Sequence, residues 1–374
     1  MLPMEFLQVQ YAEKLREYLE KVFNTIHIIV FQDALFPDIE QDVCLVYLTN
    51  KSNVAEHIRY EIYGDCKKRI LMQTNSIRRN KPLKKWSNAI LGDDDIFLLK
   101  EASGRYHQIK DFGEIAPGIV TGGNRYFILS EEDVREYQCK DYVIPIIQKA
   151  SYIPGNAIEI SEAVFHRICE EGKPSYLLDL SLKKDIRCLP AKLQEYLNRV
   201  GLEETGGIAL KERYKCKNRI PWYGVPIVKK GQVIFFKRYG DLPRIYFNSA
   251  DMHTTDAGYH VRLTNGIDGE SLVFCFFNSM TLAQCEFYGR YYGGGVCELI
   301  PTEFKEIPIP YRKVGQDDMK VFKKMFENQA EISQITRFVN ERTLYGEYGK
   351  DQMDRFEEIR NILIQRRKRK KIEE

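Results

Sequence analysis

The sequence predicts an open α/β sheet at the start of the chain, a larger mixed α+β region after it, and a charged helical tail. Three observations predict this order. Residues 10–48 set one helix-spaced stretch before two β-rich ones, residues 205–312 are strand-like runs broken by Gly, Asn, Asp and Pro, and residues 317–371 carry charged helix spacing. A length of 374 residues fits two or three domains.

The elements follow in order. QYAEKLREYLEKVF (10–23) places apolar groups at Leu15, Leu19 and Val22–Phe23 with charges between, which is helix spacing. Thr25–Phe31 is rich in β-branched residues and reads as a buried strand; ALFPDIEQ links it to a second apolar strand at Val43–Leu48. The chain opens on Leu2–Pro3, where a preceding strand should end, so the sheet is expected to lack its first half. His57–Tyr63 alternates as a strand does. Short helices are predicted at Asp95–Ala102 and at Glu131–Tyr137, the latter started by Ser130, and longer ones at 160–173 and 189–200, with Ser161 and Pro190 near their starts. The glycines near 346–349 should interrupt the tail.

Composition narrows the function classes. Hydrophobic residues make up 44% and charged residues 29%, ordinary for a globular chain. No stretch is apolar over the roughly 18 residues of a membrane span, and MLPMEFLQVQ lacks the parts of a secretory signal. Nine cysteines with no CxxC pair read as reduced thiols, and six scattered histidines without HExxH predict no metal site. The net charge is +3, but Lys211–Arg244 holds ten Lys/Arg against two Asp/Glu, and RRKRKK (366–371) is a basic run. Such stretches suit a protein that meets a polyanion on one face, the alternative being a solvated surface.

Three constellations stand out. GIVTGGNRYFIL (118–129) matches neither GxGxxG nor GxxxxGK[ST], so it cradles no nucleotide phosphates in either known way. Thr121, Gly122, Asn124 and Arg125 offer backbone approach, donors and a cation suited to a DNA phosphate or base edge; a tight turn whose polar groups satisfy one another is the alternative. In RYKCKNRIPWYGVP (213–226), Lys215, Lys217 and Arg219 would share one face of a strand, with Trp222 and Tyr223 following as stacking aromatics; a solvated edge strand with a buried Trp is the alternative. EFYGRYYGGGV (286–296) mixes tyrosines, Arg290 and a glycine triplet, as a mobile loop over a binding groove or a plain packing turn would.

The order of pieces resembles a family. LPMEFLQVQYAEKLREYLEKVF, IHIIVF, ALFP and DVCLVYLTNK are similar to the second half of the catalytic domain of TaqI-like (gamma-class) DNA adenine-N6 methyltransferases, which lies just after their NPPY motif. GIVTGGNRYFIL looks like the TG-x-N element that opens their target-recognition domain. KCKNRIPWYGVP and LVFCFFNSMTLAQCEFYGRYYGGGVCELIPTEFKEIPIP resemble the recognition half, notably of PstI/BsuBI-like members. The resemblance covers about residues 1–312. It implies a partial Rossmann-like methyltransferase sheet over 1–52, a mixed α+β target-recognition DNA-binding domain over 53–315, and a helical basic tail over 316–374.

The family binds S-adenosylmethionine at a Gly-containing loop and performs catalysis at Asn-Pro-Pro-Tyr. Neither occurs here, and Ile309-Pro310-Tyr311 lacks the Asn. The resemblance therefore implies no catalytic residue and no cofactor on this chain alone, S-adenosylmethionine in the complete enzyme, double-stranded DNA as partner, and a separate cofactor-binding NPPY section or subunit. Phe36, in the FP loop, would stack on a flipped adenine or plug the core. The expected setting is the prokaryotic cytoplasm, at the nucleoid, in restriction–modification. A non-catalytic DNA-binding specificity subunit is the alternative. A nuclease is disfavoured, because Asp38 and Glu40 have no Lys at the required spacing.

Overall fold

A computed structural model describes residues 1–31, 42–51, 57–64, 70–78, 83–292 and 294–368. Phe36 and the rest of the FP loop lie outside the described residues.

The first layer is a five-stranded sheet. Its strands are β1 (Leu2–Pro3), β2 (Phe23–Phe31), β3 (Val43–Lys51), β4 (His57–Tyr63) and β5 (Leu71–Arg78), in the order β1-β3-β2-β4-β5. Only β2 and β4 run parallel; the other pairs are antiparallel. The sheet is thus mixed, and it continues to Arg78, past the boundary expected at residue 52. Leu2–Pro3 does pair in it, against Val43 and Cys44. Alternation puts Ile26, Ile28, Val30, Ile58, Tyr60 and Ile77 on one face, where they meet Trp86, Leu99, Phe356 and Leu363 in one core.

Helix α1 (Glu13–Val22) precedes β2, as its spacing predicts, yet it docks through polar groups. Leu15 is half-exposed, whereas Arg16 and Glu20, one turn apart, are buried. Arg16 donates to the carbonyls of Phe6 (2.7 Å) and Val9 (3.0 Å), and Glu20 accepts from the Trp86 indole N–H at 2.6 Å.

Beyond residue 106 the chain builds further sheets. One runs Ile245–Phe247, Val233–Phe236, Gly258–Leu263, Gly113–Pro117, all antiparallel. Another runs His253–Thr254, Val143–Ile147, Tyr176–Leu178, Ile128–Leu129. Ser130 caps the helix Glu131–Glu136 as predicted, accepting from the Asp133 N–H at 3.1 Å.

Strands do not dominate 205–312 throughout, because Gly269–Phe276 and Ser279–Tyr288 are helices. Their residues are buried on every side, so no amphipathic period marks them, and an apolar run of this length reads equally as a strand. The tail forms helices Gln316–Glu327, Ile332–Thr343 and Lys350–Arg367. The first two residues of the basic run at its end, Arg366 and Arg367, are buried. Arg367 is buried in a bidentate pair with Glu286 (2.8 Å for each bond), and Arg366 donates to the Ser87 carbonyl at 2.9 Å. Residues 369–374 lie outside the described residues. No helix among the described residues is long and apolar enough to cross a membrane.

Candidate nucleic-acid interface

Two of the sequence constellations meet in space. The turn at 120–124 lies directly against the segment 210–219, although about ninety residues separate them. Gly122 has φ +82°, and a β-carbon there would stand 2.8 Å from Cβ of Lys215. A β-carbon on Gly123 would stand 3.0 Å from Leu210. The paired glycines are therefore what lets the two backbones approach.

Within the turn, the Gly123 N–H donates to the Thr121 hydroxyl at 3.0 Å, and that hydroxyl donates to the Asn124 amide oxygen. Thr121 is buried. The Asn124 amide nitrogen has no partner among the described residues. RYF does not continue as a strand: Asn124–Phe127 is one helical turn, and only Ile128–Leu129 is extended. Tyr126 and Phe127 thereby enter a core with Leu177, Leu193, Leu197, Leu210 and Cys216.

The Lys215, Lys217, Arg219 alternation is also not that of a strand. Tyr214–Lys217 is a helical turn whose buried residue is Cys216. Local backbone bonds, Lys217 N–H to the Arg213 carbonyl (2.8 Å) and Arg219 N–H to the Cys216 carbonyl (3.0 Å), outcompete extension because Cys216 has a core to enter. Lys215 and Lys217 stay exposed. Arg219 turns inward and donates to the carbonyls of Thr121 and Val120, both at 2.7 Å. Burial pushes its pKa down from the ordinary value, with nearby Cys216 working against that shift. Arg219 is thus the clamp that joins the two segments.

Trp222 and Tyr223 are packed rather than presented. Trp222 lies edge-on to Phe127 at 6.2 Å and against Gly201, and Tyr223 is buried with its hydroxyl donating to the Lys183 carbonyl at 2.9 Å. Arg290 belongs elsewhere: its Nε is 2.8 Å from Glu303, in a pair with both side chains largely buried, and Lys85 joins the same carboxylate at 2.9 Å. Glu286 and Tyr291 of the EFYGRYYGGGV stretch meet the C-terminal helix, Glu286 through Arg367 and Tyr291 with Arg366 4.6 Å above its ring.

The Tyr223 bond brings in a loop that no motif pointed to, 181–187. Leu182 is at the tip of a turn closed by the Lys183 N–H on the Leu180 carbonyl (3.0 Å), and Lys183 and Lys184 are exposed beside it. The doubled lysine in SLKKDIR was the available signal.

The carboxylates on or beside the resulting surface include Glu203, Asp185 and the exposed Glu212. Glu203 is engaged by Arg125 (3.0 Å) and Arg199 (3.2 Å), and Asp185 by Arg187 (2.8 Å). Lys183, Lys184, Lys215 and Lys217 have no ion-pair partner among the described residues. Arg125 keeps a 70% exposed side chain, lies 4.5 Å over the Tyr126 ring, and its surface pair with Glu203 is weak enough to exchange for a phosphate.

Neither the Gly-containing loop nor Asn-Pro-Pro-Tyr occurs, and the look-alike Tyr311 packs on Phe112 at 5.3 Å, its hydroxyl accepting from the Asp268 N–H at 2.9 Å. No cluster of His, Cys, Asp or Glu among the described residues is arranged to hold a metal ion.

Comparison with known proteins adds the following. The family model described as "Type II methyltransferase M.Eco57I, C-terminal domain" matches residues 83–344. The Type II methyltransferase M.AccI of Acinetobacter calcoaceticus is 22% identical over 327 residues, covering 82% of this chain and 57% of that protein. The chain thus spans little more than half the length of this curated relative. The type IIG restriction endonuclease BpuSI superposes with a TM-score of 0.51 at 11% identity, covering 98% of this chain and 47% of that one. The type IIL restriction-modification enzyme MmeI, solved in complex with DNA, superposes with a TM-score of 0.52 at 11% identity, covering 96% and 48%. At such identities the likeness to these two structures is one of fold.

Proposed function

The chain belongs to the family of the type II methyltransferase M.Eco57I C-terminal domain, and on that premise we propose that it is the DNA-recognition portion of a site-specific adenine-N6 methyltransferase of a restriction–modification system. The observation that carries this reading is the surface built by 120–125, 181–187 and 211–220. Its lysines are exposed and have no ion-pair partner among the described residues, while the clamp of Arg219 and the packing of Trp222 and Tyr223 hold the adjoining backbone in place. A polyanion supplies the missing charge. MmeI, a structural neighbour, is seen with DNA, and the same class of ligand fits here.

On this reading Lys183, Lys184, Lys215 and Lys217 contact phosphates and set register, while Asn124 and Arg125 offer an amide and a guanidinium to base edges. Methyl transfer needs groups outside this set: S-adenosylmethionine supplies the methyl, and the amide that activates the adenine nitrogen belongs to a section bearing NPPY. Phe36 remains the candidate base-pocket residue of the resemblance. The contribution of this chain is to bind the duplex and help offset the few kcal/mol that extruding a base costs.

The test is the double variant Lys215→Ala/Lys217→Ala, assayed by fluorescence anisotropy on labelled duplexes of mixed sequence. Affinity should fall at least tenfold in low salt, with unchanged melting temperature, and the slope of log affinity against log salt should flatten by about 2. An unchanged dissociation constant would remove this surface as the DNA site.

A further inference from the structure

We propose that Ile220, with Leu182 beside it, is an apolar wedge that enters the base stack of bound DNA; this rests on the DNA-recognition reading above. Ile220 is 91% exposed and Leu182 90% exposed. Single exposed apolar residues are common on surfaces and by themselves mean little. What distinguishes these two is how they are held and what surrounds them.

Ile220 is fixed from both sides. Immediately before it, Arg219 is bolted to the Thr121 and Val120 carbonyls at 2.7 Å each. Just after it, Trp222 and Tyr223 are packed into the core and the Gly224 N–H closes a turn on the Pro221 carbonyl at 2.9 Å. These anchors hold the backbone on both sides of its β-branched side chain. Leu182 is presented on a turn that touches the same segment. A β-carbon on Gly224 would lie 3.3 Å from Cα of Ser181 and 3.2 Å from the Pro221 carbonyl, and Tyr223 bonds the Lys183 carbonyl at 2.9 Å. Two rigid apolar tips therefore project from adjoining loops.

The surroundings select the occupant. The tips are flanked by Lys183, Lys184, Lys215 and Lys217, which have no carboxylate partner among the described residues. An apolar protein patch would leave those charges uncompensated. A duplex satisfies both features at once, with phosphates for the lysines and an apolar space between base pairs for Ile and Leu, which are among the side chains that unstack base steps.

A wedge between base pairs untwists the helix, so the test reads twist rather than affinity. A nicked circular plasmid is sealed by ligase in the presence of the full chain, and the linking number of the product is measured. Wild type should lower it in proportion to bound protein. Ile220→Ala should lose most of that shift, and Ile220→Ala/Leu182→Ala all of it, with melting temperature unchanged and anisotropy-measured affinity within tenfold; Ile220→Leu should restore the shift. Wild type that binds the plasmid without changing its linking number, or Ile220→Ala that changes it as fully as wild type, overturns the wedge and leaves the recognition reading standing. Loss of a protein partner as the only effect of Ile220→Ala also overturns it. Wild type that fails to bind the plasmid at all overturns the recognition reading itself.

Discussion

Gly122 and Arg219 show how single residues build the surface. At Gly122 the positive φ and the 2.8 Å approach to Lys215 coincide, so a side chain there faces both backbone strain and a neighbour fixed by a helical turn. Gly122→Ala is expected to cost about 1–3 kcal/mol, seen as a lower urea midpoint with an unchanged slope. It should also weaken duplex binding by shifting Lys215. The glycine pair was legible in the sequence as a point of close approach, but what approaches it was not, because that contact joins residues far apart in the chain. In sequence Arg219 is a candidate for the DNA contact; a cation looks the same there whether it faces a phosphate or a backbone carbonyl. Its two bonds to Val120 and Thr121 are visible only once the turn and the helical segment are folded together.

At the scale of elements, the C-terminal helix and the sheet around His260 each carry a prediction. Lys350–Arg367 packs along Ser279–Tyr288 and ends with Arg367 paired to Glu286, both side chains without solvent exposure. Removing one member leaves the other charge buried, so Arg367→Ala should cost about 3–5 kcal/mol, measurable by chemical denaturation. RRKRKK advertises charge, and the burial of its Arg367 depends on a carboxylate 81 positions earlier, which no local pattern reveals. His253 and His260 are buried, and burial lowers both pKa values to about 4, helped for His253 by Lys230 and for His260 by His253. The unfolded chain binds these protons near 6.5, so the folded state is the one that resists protonation. Stability should be level above that pH and fall as pH drops towards 4, by up to roughly 2 kcal/mol per histidine at pH 5. Urea midpoints between pH 7.5 and 5 measure this, and a midpoint that holds steady over the range contradicts it.

For the whole molecule, the order of helices and strands in the first fifty residues and the helical tail were legible because amphipathic spacing and β-branched runs are local signals. The extension of the first sheet to Arg78 and the all-buried helices at 269–288 were not, since those segments owe their form to the cores they enter. The same holds for the surface: its lysines could be read, its assembly from 120–125, 181–187 and 211–220 could not. These cores hold three sequence-distant segments as one basic face, on which the DNA reading rests. The measurement that tests it most directly is the affinity of the purified chain for mixed-sequence duplex DNA across a salt series. Binding that is tight in dilute buffer and falls log-linearly with salt, with a slope that reports several neutralised phosphates, is the predicted result. No detectable association with any duplex at the lowest salt would contradict it.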